Sequence, residues 1–379
     1  MVANFFAKTL KLNIDWVLFF AILPLLAVGL LSMNSFTSEN YFFERQLIWI
    51  SLSLLVFFLF SFIDWRFLRR TGVVVSIYLF GLLSLLLLFS LGQITRNTQS
   101  WVSIAGFSIQ PVEFIKLVVI IILAKYFTRR HVEIARVKHI LISGFYTLVP
   151  FVLVSMQPDF GSAMVIAFIW LGLTVASGIS KKHLLFVFSG GAISFIILWS
   201  FVFVEYQKAR ILTFINPLAD IQGAGYNAFQ SMVAVGSGQI FGKGVGYGSQ
   251  SRLNFLPEHQ TDFIFAAFAE EWGFVGVLLV FTFFTIIIWR IIANAKMGAT
   301  NFEVLFGLGL GFFIMAHFII HIGMNIGLLP VTGLPIPFMS YGGSHMMAIF
   351  AGLGILMGIR KYAHPIHRSD IQNEFIGPR

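Results

Sequence analysis

The sequence predicts an all-α integral membrane protein of about ten transmembrane helices, and three observations lead to that prediction. Of the 379 residues, 58% are hydrophobic and only 11% are charged, whereas about a quarter of a soluble protein is charged. The apolar residues fall into runs of about 20, the length that crosses a bilayer. The net charge of +9 comes from short basic clusters between those runs, a pattern that indicates membrane topology and not a nucleic-acid surface.

Ten segments meet the length and polarity of a membrane span. They run at about 14–33, 46–63, 73–92, 111–127, 139–156, 162–178, 184–204, 263–289, 302–324 and 341–359. Pro158 and Gly161 favour a tight turn between the fifth and sixth segments, so we expect two helices there. Lys8 and Lys11 precede the first run without a cleavage site, which indicates an uncleaved span. We treat residues 1–379 as a single polytopic membrane domain.

The basic residues predict the orientation. With the N-terminus inside, 18 of the 25 Lys and Arg residues are cytoplasmic and Lys116 lies within a span. The remaining six lie outside: Arg45, Arg96, Lys208, Arg210, Lys243 and Arg252. This bias follows the positive-inside rule and predicts cytoplasmic termini.

One large extracytoplasmic loop, at about 205–262, breaks the pattern of short connections. Loops of this length are usually functional or disordered. Because this one carries many apolar residues, we expect it to pack against the membrane surface, with the loops 93–110 and 325–340 closing around it. The sequence has no cysteine, so it offers neither a disulfide nor a thiol nucleophile.

Ionisable residues at membrane depth are costly and are therefore candidates for function. Glu113 and Lys116 are three residues apart on one helix face and can pair. A structural ion pair and direct chemistry both explain them. Asp159 lies in the turn at 157–161, where an acid is most often a cap. His317 and His321 are helix neighbours that we interpret as polar packing.

The strongest local signal is the polar segment 257–262, directly before an apolar helix. It contains Glu258, His259 and Asp262. An acid at a helix N-terminus can simply satisfy free N–H groups, but that leaves Glu258 and His259 unexplained. A partly desolvated carboxylate at this position can instead act as a general base. Glu270 and Glu271 follow inside the helix, and we expect at least one of them to make a structural hydrogen bond.

The glycine-rich run 236–248 resembles a phosphate loop without matching a known nucleotide motif, because no Ser or Thr follows Lys243. Glycines allow backbone N–H groups to approach a ligand, and Lys243 adds positive charge. A lipid-borne diphosphate and a flexible hinge are both compatible with this run. The sequence shows no metal-ligand spacing of the His-x-Glu-x-x-His type.

Taken together, these motifs resemble the SEDS family of bacterial cell-wall polymerases, the shape, elongation, division and sporulation proteins. The resemblance spans nearly the whole chain. It rests on residues 96–101, 110–116, 157–161, 236–238, 256–258, 261–266, 269–271 and 340–344. The segments 242–244 and 248–251 and the short N-terminal tail are more similar to the rod-shape branch than to the division branch. The order His259-Gln260 departs from the family pattern and leaves the role of His259 open.

The resemblance implies a peptidoglycan glycosyltransferase of the bacterial inner membrane that polymerises lipid II during elongation, with its active site on the extracytoplasmic side. It implies that Asp262 is the essential acid, Glu113 and Lys116 the charged pair and Asp159 the turn acid. It also implies a divalent cation, Mg or Mn, and no organic cofactor. The implied partners are a class B penicillin-binding protein, the elongation machinery and membrane lipids, but no nucleic acid. The further substrate-binding candidates are Arg210, Lys243, Glu258, His259 and Ser344.

Two other functions share the predicted fold. A lipid II flippase or transporter would need a polar path through the bilayer, whereas the few intramembrane charges lean toward the outer side. A non-catalytic scaffold for a transpeptidase would not depend on Asp262. The three hypotheses make different predictions for a reconstituted protein.

Overall fold

The computed structural model describes residues 14–36, 41–95, 98–104, 107–128, 137–201, 203, 205–215, 225–253 and 255–361. The two tails that the sequence predicts to be cytoplasmic lie outside these residues, as does Arg96. The side chain of Arg210 also lies outside the described part of the chain.

Within the described residues, ten long helices coincide with the ten predicted membrane segments. They are α1 (Trp16–Phe36), α2 (Tyr41–Phe62), α3 (Thr71–Leu91), α4 (Pro111–Thr128), α5 (Val137–Met156), α6 (Phe160–Ala176), α7 (Lys181–Phe201), α11 (Ile264–Lys296), α12 (Asn301–Asn325) and α13 (Gly343–Lys361). Eight are long and apolar enough to cross a bilayer. Of the other two, α6 has 17 residues and α4 contains three charged residues. The predicted fold class is confirmed.

The core lies around α4, α12 and α13, and the outer helices face lipid. Nearly all of α13 is buried, whereas none of the residues of α7 is. Large apolar side chains such as Phe80 and Leu185 are more than 70% exposed. A helix can be apolar on every side only where lipid or protein covers it, so these exposed side chains mark the surface in contact with the bilayer.

Three charged residues, from the start of α1 and from α11 and α13, meet at the predicted cytoplasmic end. Asp15, which is 3% exposed, pairs with Arg290 of α11 at 2.6 Å and accepts a hydrogen bond from Asn294. Arg360 of α13 lies 3.8 Å from the same carboxylate. Because these residues belong to segments that the charge bias places inside, their convergence agrees with the predicted topology.

The external loops contain structure that the sequence did not predict. Three strands, β1 (Gln93–Thr95), β2 (Thr98–Ile104) and β3 (Phe107–Ile109), form an antiparallel sheet. The strands are rich in β-branched and aromatic residues, which favour this conformation. The large loop forms three short helices, α8 (Glu205–Ile215), α9 (Tyr226–Ser237) and α10 (Ser249–Arg252). Of these, α9 packs on α11 and α12.

Helix α11 is interrupted near its outer end. The glycine-rich run 236–248 supplies hydrogen-bond partners for the backbone groups left unpaired there. Gly273 has φ 64° and ψ −167°, so the helical hydrogen bonds across it cannot form. The carbonyls of Glu270 and Glu271 accept instead from the N–H groups of Lys243 and Gly244, each at 3.0 Å. In return, the N–H groups of residues 274 and 275 donate to the carbonyls of residues 239 and 240. This exchange satisfies backbone groups that lipid could not.

The interruption also marks a change in burial along α11. Residues 264–271 are all buried, whereas Phe274 and Leu278 are at least half exposed. At about 1.5 Å per residue, Gly273 lies about 25 Å along the helix from Arg290, close to the ~30 Å thickness of the hydrocarbon core. The outer turns of α11 therefore stand in the headgroup region, covered by the protein's own loops.

Candidate functional site

The backbone of Glu258 organises the acidic turn before α11. Glu258 has φ 53°, and its carbonyl accepts from the N–H groups of Thr261, Asp262 and Phe263. Phe263, and not Asp262, is the N-cap residue of α11. The Asp262 side chain is partly exposed. The structure thus places Asp262, a partly exposed residue, at the outer end of α11.

The loop that joins α12 to α13, residues 326–342, forms one wall of this turn. Ser340 Oγ donates to the carbonyl of Thr261 at 2.8 Å. Gly333 has φ 74°, and a Cβ added there would lie 3.4 Å from an Asp262 carboxylate oxygen. The prediction that the loops 93–110 and 325–340 close around the segment 205–262 is thus supported for the second loop, which contacts residues 260–262. The described residues around Asp262 therefore come from two separate parts of the chain.

The two polar neighbours of Asp262 differ in environment. Glu258 is exposed, and its carboxylate accepts from the Thr261 hydroxyl at 3.0 Å. His259 is 7% exposed, and its Nδ1–H donates to the carbonyl of Leu256 at 2.9 Å. Burial lowers the pKa of His259, so the ring is neutral at pH 7. The orientation of His259 suits packing of the turn, while Glu258 remains open to a ligand.

Lys243 is bound to an acid of the interrupted helix. Its Nζ contacts a Glu270 carboxylate oxygen at 2.6 Å and Ser249 Oγ at 2.9 Å. Glu270 is fully buried and also accepts from the Gln250 N–H. The predicted structural hydrogen bond of Glu270 is confirmed. Lys243 keeps a third of its side-chain surface exposed, so its role toward a diphosphate stays a prediction.

The glycine-rich run uses its backbone N–H groups within the protein and not as the phosphate loop that its sequence resembles. The N–H groups of Lys243 and Gly244 bind carbonyls of α11, and that of Gly246 donates to the Glu271 side chain at 2.8 Å. These groups are not available to a phosphate. Position 242 requires glycine, because a Cβ there would lie 2.1 Å from the carbonyl oxygen of Glu271. The glycines serve close packing against an interrupted helix, which local sequence does not reveal.

Glu113 and Lys116 form the predicted ion pair inside the bundle. Lys116 Nζ donates to Glu113 at 2.6 Å, and both side chains are almost completely buried. The second Glu113 oxygen accepts from His345 Nδ1 at 2.8 Å. Lys116 Nζ also lies 3.1 Å from His317 Nε2. The pair is therefore part of a four-residue network that joins α4, α12 and α13.

A second set of hydrogen bonds extends this network to the outer turn. Asp159 caps α6 by accepting from the Ser162 N–H at 3.0 Å, as the sequence predicted. Its other oxygen accepts from Gln110 Nε2 at 3.0 Å, and the Gln110 N–H donates to Ser344 Oγ at 2.9 Å. Burial raises the pKa of Asp159, although the nearby Lys116 ammonium opposes that change. The structure brings Asp159, Ser344 and the buried ion pair together.

The loop 326–342 lies between this network and Asp262. A Cβ added at Gly161 would lie 2.9 Å from Leu334 and 3.1 Å from the carbonyl oxygen of Thr332, so the Asp159 turn packs directly on the loop. Asp262 lies against Gly333 of the same segment. Gly161 of the Asp159 turn and the Asp262 carboxylate thus lie against one short stretch of backbone, residues 332–334.

Comparison with known proteins identifies the family. The model of the cell cycle protein family FtsW, RodA and SpoVE matches residues 10–364.

The chain belongs to this SEDS family.

Three curated SEDS relatives are similar to the chain at almost equal identity. Stage V sporulation protein E of Bacillus subtilis is 31% identical, over 94% of this chain and 99% of its own length. Peptidoglycan glycosyltransferase MrdB of Escherichia coli is 33% identical, over 95% and 96%. The probable peptidoglycan glycosyltransferase FtsW of B. subtilis is 34% identical, over 94% and 92%. These values do not separate the branches of the SEDS family.

Two solved SEDS structures share the fold. A chain from a peptidoglycan synthase complex that coordinates polymerization and crosslinking superposes with a TM-score of 0.80 at 28% identity, covering 93% of this chain and 99% of that one. The rod shape determining protein RodA of Thermus thermophilus superposes with a TM-score of 0.69 at 28% identity, covering 92% and 96%. The multi-pass membrane fold described above is therefore the fold of the SEDS family.

The cation that the SEDS resemblance implies does not fit the buried cluster. Among the described residues, Glu113, His317 and His345 offer ligand atoms within 4.8 Å of one another. Lys116 already bonds to Glu113 and contacts His317, so a divalent cation there would meet an adjacent ammonium group. Mg²⁺ also prefers oxygen ligands. Lys116 itself supplies the positive charge of this cluster, and the divalent cation stays a prediction for another location.

Sequence reasoning missed Gln110, His345 and the network role of His317. A signal was present, because polar and ionisable residues within apolar runs are candidates for function. His345 also directly follows the predicted Ser344. The pairing of His345 with Glu113 spans 232 positions of the chain, and no local pattern identifies such a partner.

Proposed function

We propose that this SEDS protein polymerises lipid II with Asp262 as its general base. The chain is a peptidoglycan glycosyltransferase, as its SEDS relatives MrdB and FtsW are described. The observation that carries the assignment of Asp262 is its position. Asp262 is a partly exposed acid at the outer end of α11. It lies between the turn organised by the Glu258 carbonyl and Gly333.

In the proposed reaction, Asp262 takes the proton from the 4-hydroxyl of the acceptor GlcNAc. The oxygen attacks the anomeric carbon of the donor MurNAc, and the bond from that carbon to undecaprenyl diphosphate breaks. The anomeric centre inverts from α to β. The leaving diphosphate carries the electron pair of the broken bond, so it requires positive charge nearby.

Lys243, Arg210 and a divalent cation are the proposed sources of that charge. Lys243 is paired with Glu270 and would have to bridge to the diphosphate through its exposed face. Arg210 lies in α8 of the same external segment. Glu258 is exposed beside Asp262 and is a proposed oxygen ligand for Mg or Mn, which prefer such donors.

The test of the base is polymerisation of purified lipid II by reconstituted protein. Asp262→Asn should reduce the rate of glycan formation by at least about 100-fold, because general-base catalysis contributes about 10²–10⁴. Asp64→Asn, at an exposed site beside Arg66, is the control and should keep the wild-type rate. If the Asp262→Asn variant formed glycan ladders at the wild-type rate, Asp262 would not be the general base.

The same reconstituted vesicles separate the enzyme from a lipid II flippase. The enzyme forms glycan ladders, whereas a flippase exchanges labelled lipid II between leaflets without forming glycan. A scaffold for a transpeptidase would do neither, and it predicts that Asp262→Asn fully complements a deletion strain.

We further propose that the protein acts in cell elongation with a class B penicillin-binding protein in the bacterial inner membrane. The sequence at 242–244 and 248–251 supports the rod-shape branch. The related chain from a peptidoglycan synthase complex supports such a partner. Complementation of a rod-shape deletion strain, compared with a division deletion strain, decides the role. Rescue of division alone would refute the elongation assignment.

A further inference from the structure

Three polar side chains stand on one face of α12, spaced four residues apart. They are His317, His321 and Asn325, and each is completely buried. Residues four apart on a helix lie one above the other, so the three form a stripe that runs toward the outer end of α12. We call this set the α12 stripe. Polar groups buried at this depth are costly unless they are hydrogen-bonded, and therefore their partners indicate their role.

Each member of the α12 stripe donates to a backbone carbonyl of the Asp262 site. His317 Nδ1 lies 3.1 Å from the Pro335 carbonyl oxygen, and His321 Nδ1 lies 2.7 Å from that of Leu334. A carbonyl only accepts, so both rings carry their proton on Nδ1. The two histidines thus hold two consecutive carbonyls, directly after Gly333, which lies against the Asp262 carboxylate.

Asn325 ties the stripe to Asp262 itself. Its Nδ2 donates to the Asp262 carbonyl at 3.1 Å and to the His321 carbonyl at 2.8 Å. Its Oδ1 accepts from the Ala266 N–H at 3.2 Å. One side chain therefore fixes the acidic turn and the first turn of α11 relative to the end of α12.

Two further contacts connect the stripe to the buried ion pair. Because His317 keeps its proton on Nδ1, its Nε2 accepts from Lys116 Nζ at 3.1 Å, and Lys116 is held by Glu113. The orientation of the His317 ring is thus set from both sides. The charged pair that the sequence singled out acts on the outer loop through this ring.

We infer that His317, His321 and Asn325 are positioning residues, which hold Gly333 and the Asp262 backbone so that the carboxylate meets the acceptor hydroxyl. This inference rests on the proposed function of Asp262. None of the three side chains has to contact the substrate. A displacement of about 1 Å at a catalytic group can reduce a rate about 10²-fold, so loss of one of these hydrogen bonds should lower kcat more than it changes KM.

The test compares His321→Leu, His321→Asn and Asn325→Leu in the lipid II polymerisation assay, with rates expressed per folded protein. An Asn amide nitrogen can occupy the position of His Nδ1 and donate to Leu334, whereas Leu cannot donate. We expect His321→Leu and Asn325→Leu to lose about 10–100-fold in kcat with KM nearly unchanged, and His321→Asn to recover most of that loss.

The matched control is Ile314→Ala, at an equally buried position of α12 whose side chain is apolar. It should lower the melting temperature while leaving kcat per folded protein unchanged. If the leucine variants do not fold, His321→Gln replaces them, since its amide nitrogen lies one bond farther out and misses the Leu334 carbonyl. Equal kcat for the Asn and Gln variants would overturn the inference.

The outcome separates this inference from the proposed function. An active Asp262→Asn variant would refute the general base, and the positioning role would fall with it. An inactive Asp262→Asn variant, together with wild-type kcat for His321→Leu and Asn325→Leu, would refute the positioning role alone.

Discussion

At the scale of single residues, Glu258 organises the turn that holds Asp262. Glu258 adopts a left-handed backbone conformation, and its carbonyl accepts hydrogen bonds from three N–H groups. Such strain in a residue other than glycine is costly and concentrates at functional sites. These hydrogen bonds hold Asp262, a partly exposed residue, in a defined position. The sequence singled out these acids as candidates, because few acids lie near the membrane, but it did not predict that the backbone of Glu258 organises the turn that holds Asp262.

His259 should make the turn sensitive to acid. Burial lowers its pKa below the usual ~6.5, so the folded state favours the neutral ring. The stability that depends on this ring is present above pH ~6.5 and is lost as the pH falls. The melting temperature of the wild type should therefore drop between pH 7 and pH 5 more than that of His259→Asn, which keeps a donor for the Leu256 carbonyl. An equal change of melting temperature with pH in the two proteins would contradict the assignment of the acid sensitivity to His259.

At the scale of elements, the positions of the helices followed from the sequence, whereas the interruption of α11 did not. The apolar runs specify the spans because lipid leaves a helix little alternative. Gly273 by itself predicts only a weak point. The partner that repairs the break lies some thirty residues earlier in the chain, in a segment whose glycines suggested a phosphate loop. Local patterns do not encode such non-local backbone pairing. The short β-sheet is a different case, because its strands pair with their neighbours in sequence; the sequence analysis treated this segment only as a loop.

Alanine substitutions can test whether the glycine-rich run 236–248 supports α11. Two of its glycines have the same left-handed backbone conformation but different surroundings. Gly242 and Gly246 have φ of 79° and 80°. A Cβ at Gly242 would meet the Glu271 carbonyl, whereas nothing lies within 4 Å of one at Gly246. Gly246→Ala should cost about 1–2 kcal/mol for its left-handed backbone. Gly242→Ala should cost on the order of 4 kcal/mol or more.

The measurement is the melting temperature of each alanine variant in the same detergent or lipid. A similar decrease for both would show that only backbone strain matters and that the loop does not support α11.

At the scale of the whole molecule, buried polar groups tie the helices together at both ends. Asp15 joins α11 and α13 to the start of α1 at one end, and the Glu113 network joins α4, α12 and α13 nearer the other. Breaking a buried ion pair by removing one partner typically costs about 3–5 kcal/mol. An alternating-access transporter would have to open such contacts in every cycle, whereas a surface enzyme can keep them.

Cross-linking tests this difference, and the absence of native cysteine makes it direct. Asp15 and Asn294 lie close enough for a hydrogen bond of 2.6 Å, so cysteines at both positions should be joined by a short bifunctional thiol reagent. We expect the cross-linked protein to polymerise lipid II at the rate of the same double variant without reagent. A rate abolished by cross-linking and restored by reduction would favour a mechanism that requires the cytoplasmic end to open.

The length of α11 has a consequence for which substrates can react. The helix has 33 residues, about 50 Å, and its interruption at Gly273 lies near the edge of the hydrocarbon. Asp262 precedes the first turn of α11 and lies on the outer side of that interruption, and the backbone hydrogen bonds between α11 and the glycine-rich run hold the interrupted segment in place. For the proposed reaction, this position favours a hydroxyl that stands above the hydrocarbon on a sugar carried by a lipid diphosphate.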